Sequence, residues 1–307
     1  MDQHSVYQKN NSGCVSHLLG QAIAHTGFVK THPNITKTMS LAVLLTGLIL
    51  FAGCGPYSQS GYLERFDSDI RKASAAIESA KTDAQRAEAY GDRGAAYGEK
   101  ARYSRVGKLI TIEDYNKLFD LSMADFSKAI ALDSGNADLY YRRGYVYYGR
   151  AGAEMIYDRT PSPALKPAKA DFSVVVARNP KNAQAWDMLG LTDASLGEWT
   201  AAISDFTQET ALDANAQDRV GDAYCNRGMQ YSGEKKYDLA EADLKKAIEM
   251  GTHPDPCECD PYNQLLWIYT RQTHESDKAQ ALAAKARAAK RWIAPENLQQ
   301  LNAAKAR

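Results

Sequence analysis

Ala183-Gln-Ala-Trp186-Asp-Met-Leu189-Gly190, then Leu196-Gly-Glu-Trp199, then Ala202-Ile-Ser-Asp-Phe206 and Ala211-Leu-Asp213, is the stretch that decides the fold. Trp186, Leu189 and Gly190 are three and four positions apart, so they share one face of a helix. Gly197 punctuates the chain, and Ala202 and Phe206 then share a face of a second helix. The small residues Gly190 and Ala202 stand where the two helices must lie directly against each other. A single helical hairpin cannot bury its own apolar faces, so further copies are required. Working outward, the same slots recur. Tyr224, Gly228, Tyr231, Tyr237, Ala240, Leu244 and Ala247 fill them between Gly221 and Thr252. Upstream, Tyr140, Gly144 and Tyr147 follow Ala137, and the pattern resumes at Ala168, Phe172 and Pro180 after an insertion. An earlier copy has Tyr90, Gly94 and Tyr97, then Phe126, Ala129 and Leu132 after a second insertion. A degenerate fifth copy runs from Tyr262 through Leu265 and Tyr269 to Ala279, Ala283 and Ala286.

These spacings resemble the tetratricopeptide (TPR) repeat, W-x2-L-G-x2-Y followed by A-x3-F. The resemblance covers most of residues 84–287 and implies an all-α, right-handed solenoid of about five helix-turn-helix repeats. Phe66 to Ala80, apolar at Ile70, Ala73, Ala76, Ile77 and Ala80, reads as an N-terminal capping helix. Pro295-Glu-Asn-Leu-Gln-Gln-Leu opens a last short helix with proline at a favoured first position. The solenoid with its caps is expected over residues 66–307. The resemblance further implies that the first helices line a groove. Its exposed positions are then Tyr141, Tyr145, Tyr148, Asp187, Leu191, Met229, Asn263, Trp267 and Thr270, with Gly91, Ala95 and Gly98 nearly bare in the first copy. Aromatic side chains and a methionine suit a peptide-binding surface, and packing on the long helix connections is the competing use for the tyrosines.

Arginine replaces the usual leucine just before the glycine in three copies, at Arg93, Arg143 and Arg227. The same copies carry aspartate just before the large apolar residue of the second helix, at Asp125, Asp171 and Asp243. This correlation predicts partly buried ion pairs, Arg93 with Asp125, Arg143 with Asp171 and Arg227 with Asp243, that fix helix register. The copy with Leu189 keeps Asp205. The two insertions, Arg102–Ser122 and Arg150–Pro167, interrupt adjacent copies at the same place and should project side by side. Thr111-Ile-Glu-Asp114 resembles a capping box, so the second helix of that copy should begin early and run long.

The chain has 37 basic and 37 acidic residues. Three of those bases and one of those acids precede residue 54, which leaves 34 against 36 and no electrostatic argument for nucleic acid. Leu41 to Ala52 is an apolar run too short to cross a bilayer but long enough for a signal-peptide core, with Lys30 and Lys37 upstream. It ends in Phe51-Ala-Gly-Cys54, which resembles the bacterial lipoprotein signal. That resemblance implies a leader over 1–53, lipid on the Cys54 thiol, export, and a membrane anchor facing the periplasm. Gly55, where an aspartate would favour the inner membrane, leans towards the outer membrane. Residues 54–65, turn-rich at Gly-Pro-Tyr-Ser-Gln-Ser-Gly, read as a tether.

No H-E-x-x-H, G-x-S-x-G or C-x-x-C is present, and only His253 and His274 follow residue 54, so neither an enzyme nor a cofactor is expected. Export would place Cys225, Cys257 and Cys259 in an oxidising compartment, and a disulfide from Cys225 to Cys257 or Cys259 is the first expectation. The competing reading is a metal-binding or redox site of Cys225, Cys257, Cys259 and His253. The sequence thus points to an envelope adaptor or scaffold whose partners are other envelope proteins or peptides.

Overall fold

The computed structural model describes residues 59–158, 162–252 and 259–305, and every regular element among them is helical. By its contacts the described chain divides after Asn179 into two compact units. The N-terminal unit holds α1 (Gln59–Ser79), α2 (Asp83–Val106), α3 (Ile112–Leu132), α4 (Ala137–Asp158) and α5 (Leu165–Arg178). The C-terminal unit holds α6 (Ala183–Ser195), α7 (Trp199–Leu212), α8 (Gln217–Gly233), α9 (Tyr237–Met250), α10 (Pro261–Trp267), α11 (Ser276–Ala288) and α12 (Pro295–Lys305). The fold is all-α and of the TPR type: α2/α3 and α4/α5 are hairpins of the first unit, and α6/α7, α8/α9 and α10/α11 are hairpins of the second.

The glycine slots show why these pairs close. A Cβ on Gly190 would lie 2.6 Å from the Phe206 ring, and one on Gly144 would lie 3.0 Å from Phe172. Gly94 faces Phe126 and Gly228 faces Leu244 in the same way. Each large partner is almost wholly buried, so the missing side chain of the first helix is the space that the second helix fills. Alanines at 129, 168, 202, 240 and 247 are fully buried for the same reason.

Helix ends repeat as closely as helix faces. After α2, α6, α8 and α11 the chain makes one turn four times: the N–H of Leu109, Glu198, Lys236 and Arg291 donates to the carbonyl of Ser104, Asp193, Tyr231 and Ala286. This arrangement needs a left-handed residue just before the donor, and that residue is Gly197 in one copy but Lys108, Lys235 and Lys290 in the others. At the opposite ends, the Gln85 N–H donates to the Thr82 hydroxyl and the Lys81 N–H to the Gln85 side chain, which starts α2.

One expected boundary changes. α1 begins at Gln59, so half of the expected tether is helix. Tyr62 and Phe66 stack on Tyr103 at 5.3 and 5.9 Å, and Lys100 donates to Asp67 at 2.6 Å, which gives the early turns of α1 something to pack on. The insertions are largely extra helical turns: α2 runs to Val106, α3 starts at Ile112 and α4 runs to Asp158. The lengthened hairpins share a core of Ala101, Tyr115 and Ala153, and the Arg150 guanidinium lies 4.1 Å over the Phe119 ring. Thr111 does begin α3, accepting from the Asp114 N–H at 3.1 Å while its hydroxyl donates to the Asp114 carboxylate. The fifth first helix is interrupted: α10 passes into a π-helical turn at Ile268–Gln272. Cys54, the leader, His253 and Cys257 lie outside the described residues.

Candidate functional site

The arginine slots form three equivalent clusters. Arg93 donates through Nε and Nη2 to both oxygens of Asp125 at 2.7 and 2.9 Å, Arg143 to Asp171 at 2.8 and 2.7 Å, and Arg227 to Asp243 at 2.7 and 2.9 Å. Each aspartate is buried while its arginine keeps about a fifth of its side chain in water. Each guanidinium also lies over the tyrosine three residues before it, Tyr90, Tyr140 and Tyr224, at 5.6, 5.7 and 5.4 Å. A planar, always-charged group that can bond a carboxylate edge-on and stack on a ring satisfies all three geometries at once. Burial pushes the Asp171 carboxyl above its ordinary range although Arg143 pulls the other way. These clusters link the two helices of one repeat.

The positions expected to line a groove divide into two groups. Tyr148 and Leu191 are in the core, 1% and 4% exposed, and α6 is buried around the second. Asn263 is committed to structure. Its amide nitrogen donates to the Trp292 carbonyl at 3.0 Å, and its Oδ1 accepts from the Ala294 N–H at 2.8 Å and from Asn297 at 3.2 Å, which ties the last helix down. Asp187 pairs with Arg219, joining α6 to α8. Thr270 returns its hydroxyl to the Leu266 carbonyl at 2.8 Å. Gly91 and Gly98 are bare because α4 lies on them: Cβ atoms there would stand 2.7 Å from Leu139 and 2.6 Å from Val146.

Tyr141, Tyr145, Met229 and Trp267 remain half-buried on first helices. Tyr141 sets its edge on the Phe172 ring at 5.7 Å, and its hydroxyl is pushed up to about 12 by burial, with Tyr145 and Asp138 adding to it. Met229 and Trp267 rest on the core that holds Cys225 and Leu265. Sequence reasoning missed Arg142, which donates to Glu88 at 3.1 Å and Asp92 at 2.6 Å and so spans from α4 to α2. Its signal was present: an arginine beside the register arginine, facing the acids of the preceding first helix one turn apart.

Cys225 and Cys259 are joined by a disulfide, with Cα atoms 5.8 Å apart. Two of the four groups of the metal or redox reading are therefore bonded to each other. Among the described residues no group of three or more His, Cys, Asp or Glu side chains could hold a metal ion, and no helix is long and apolar enough to cross a membrane.

No protein-family profile matches the chain, and no curated protein matches it. Solved structures do. MamA is 20% identical, with 64% of this chain and 95% of that one covered and a TM-score of 0.39. BtubC (BKLC) from P. vanneervenii is 15% identical over 78% of this chain and 94% of its own, with a TM-score of 0.44. YrrB, described as a TPR protein with an unusual peptide-binding site, is 20% identical over 66% and 95%, with a TM-score of 0.33.

Proposed function

We propose that the chain is a lipid-anchored adaptor or assembly scaffold of the cell envelope, which binds extended or helical segments of other proteins on the faces of its first helices. The observation that carries this reading is the division of labour among the aromatic residues. Tyr90, Tyr140 and Tyr224 lie against the ion-paired arginines and Tyr148 is in the core, while Tyr141, Tyr145, Met229 and Trp267 keep part of their side chains exposed on α4, α8 and α10. Aromatic rings held on a rigid helix contribute contact area at low entropic cost. The anchor rests on Phe51-Ala-Gly-Cys54.

A photocrosslinking amino acid at position 145, expressed in the native envelope, tests the groove. A discrete adduct with a segment of another envelope protein is expected. Adducts absent at 145 and at 267 would refute binding on these faces. The anchor is tested separately: Cys54→Ser should leave an unprocessed chain without lipid label, and a processed product of unchanged mass would overturn it.

A further inference from the structure

The turn between α11 and α12 carries the most exposed large apolar side chain of the described residues, Trp292, 68% exposed. Its backbone is nonetheless fixed. The Trp292 carbonyl accepts from Asn263, the Ala294 N–H donates to the Asn263 side chain, and the Arg291 N–H donates back to Ala286. Ile293 and Ala294, next in the chain, are buried. The indole is thus held out from a pinned turn, so ordering it on a surface costs little further entropy.

The chain leading into it is basic, while the carboxylate nearest its backbone, Asp260, is taken up by the Asn263 amide at 3.2 Å. Lys285, Arg287 and Lys290 are exposed and Arg291 is half-buried. Among the described residues, no carboxylate lies within ion-pairing distance of any of the four. The acid of this segment, Glu296, sits in the first turn of α12, where it serves the positive end of that helix. The negative end of the α11 dipole accounts for Lys285 and Arg287 in its last turn. It accounts neither for Lys290 and Arg291 beyond that turn nor for a bare indole between them and Ile293.

We infer that the Lys285–Trp292 turn docks on an anionic lipid surface, with the Trp292 ring at headgroup depth and the cations over the phosphates. Charge complementarity selects an anionic surface. An amphipathic ring on an exposed turn, rather than in a groove, selects a bilayer interface over a folded protein partner. The contact does not depend on lipid at Cys54, because these residues form it by themselves.

The test uses the full chain with vesicles of phosphatidylglycerol and phosphatidylcholine, or phosphatidylcholine alone, carrying brominated acyl chains. Tryptophan emission of the wild type minus that of Trp292→Phe isolates residue 292. Co-sedimentation reports separately whether the chain is held on the vesicles at all. Quenching of the Trp292 signal by the anionic vesicles is expected, and it should fade as salt is raised. In Lys285→Gln/Lys290→Gln the docking equilibrium should fall about 30-fold, at about 1 kcal/mol for each cation. A chain that sediments with anionic vesicles while Trp292 stays unquenched would overturn the inference and leave the anchor standing. Quenching equal on both vesicle types, a charge variant within twofold of wild type, or protection of Trp292 by an acidic polypeptide but not by lipid would each overturn it too.

Discussion

Replacing Arg143 with leucine tests whether the repeated ion pairs hold the helices in register. The guanidinium makes two charge-assisted hydrogen bonds at 2.8 and 2.7 Å to a carboxylate whose side chain is 5% exposed. Removing one member of a buried pair costs about 3–5 kcal/mol, since the other charge is left in an apolar setting. Arg143 keeps 23% of its side chain in water, so solvent can reach part of the vacated site and the expected loss is about 2–4 kcal/mol. Asp171→Leu alone should cost less, because the stranded arginine can turn towards water and towards Tyr140. In the double variant the unpaired charge is gone and leucines occupy the space. The coupling energy from a urea-denaturation cycle of the four proteins should then be about 2 kcal/mol. Losses that add to within about 0.5 kcal/mol would show that the two residues act independently, and the register role would fall with them.

Glu209 is 8% exposed, and burial together with Asp213 and Asp218 raises its carboxyl to about 7. The folded state therefore holds a proton that the unfolded chain releases near its ordinary value of 4.5, so this group's contribution favours folding below 4.5 and is progressively lost as pH rises through 7. Glu209→Gln should raise Tm at pH 8, by up to about 3 kcal/mol of stability, and leave it unchanged at pH 4.5; equal effects at both pH values would refute the assignment. The disulfide closes a separation of 34 residues, for which chain entropy predicts about 3–4 kcal/mol, so Cys259→Ser should lower the urea midpoint accordingly. An unchanged midpoint would show that the bond constrains nothing. Lys235 has φ 61°, so Lys235→Gly should stabilise by about 0.5–1 kcal/mol, the relief of left-handed strain less the freedom that glycine gains when unfolded. A loss in thermal melts would mean that the lysine side chain contributes more than its backbone costs.

The repeat was legible because its slots are set by contact within one hairpin. Gly190 against Phe206 and Arg143 against Asp171 are pairs separated by one helix and a turn, and size or charge alone identifies both members. The exposure of the first-helix positions was less legible because it depends on how one repeat lies on the next. Gly91 looks open in a single hairpin and is closed by Leu139 of α4, and at Gly98 the nearest atoms are likewise those of Val146 in α4. Tyr148 was misplaced for a related reason. The insertions around it continue as helix, and the core they build with Tyr115 has no counterpart in the repeat pattern. Asn263 could not be read from its own copy, since its partners lie in the turn before α12.

The position of the disulfide bears on how the C-terminal unit comes apart. A linear stack opens from its ends, and the last hairpin has the weakest claim to order: α10 is only seven residues long and runs into a π-helical turn. Left to itself, it would fray well before α8 and α9. The bond from Cys225 in α8 to Cys259 at the entrance to α10 opposes that separate departure. Fraying of the last hairpin then gains less freedom, because its entrance stays fixed to α8. Amides of α10 and α11 should exchange with solvent hydrogen more slowly while the bond is intact than once it is reduced. The oxidation state of the compartment would thereby decide whether the end of the stack is a loose tail or a closed lock.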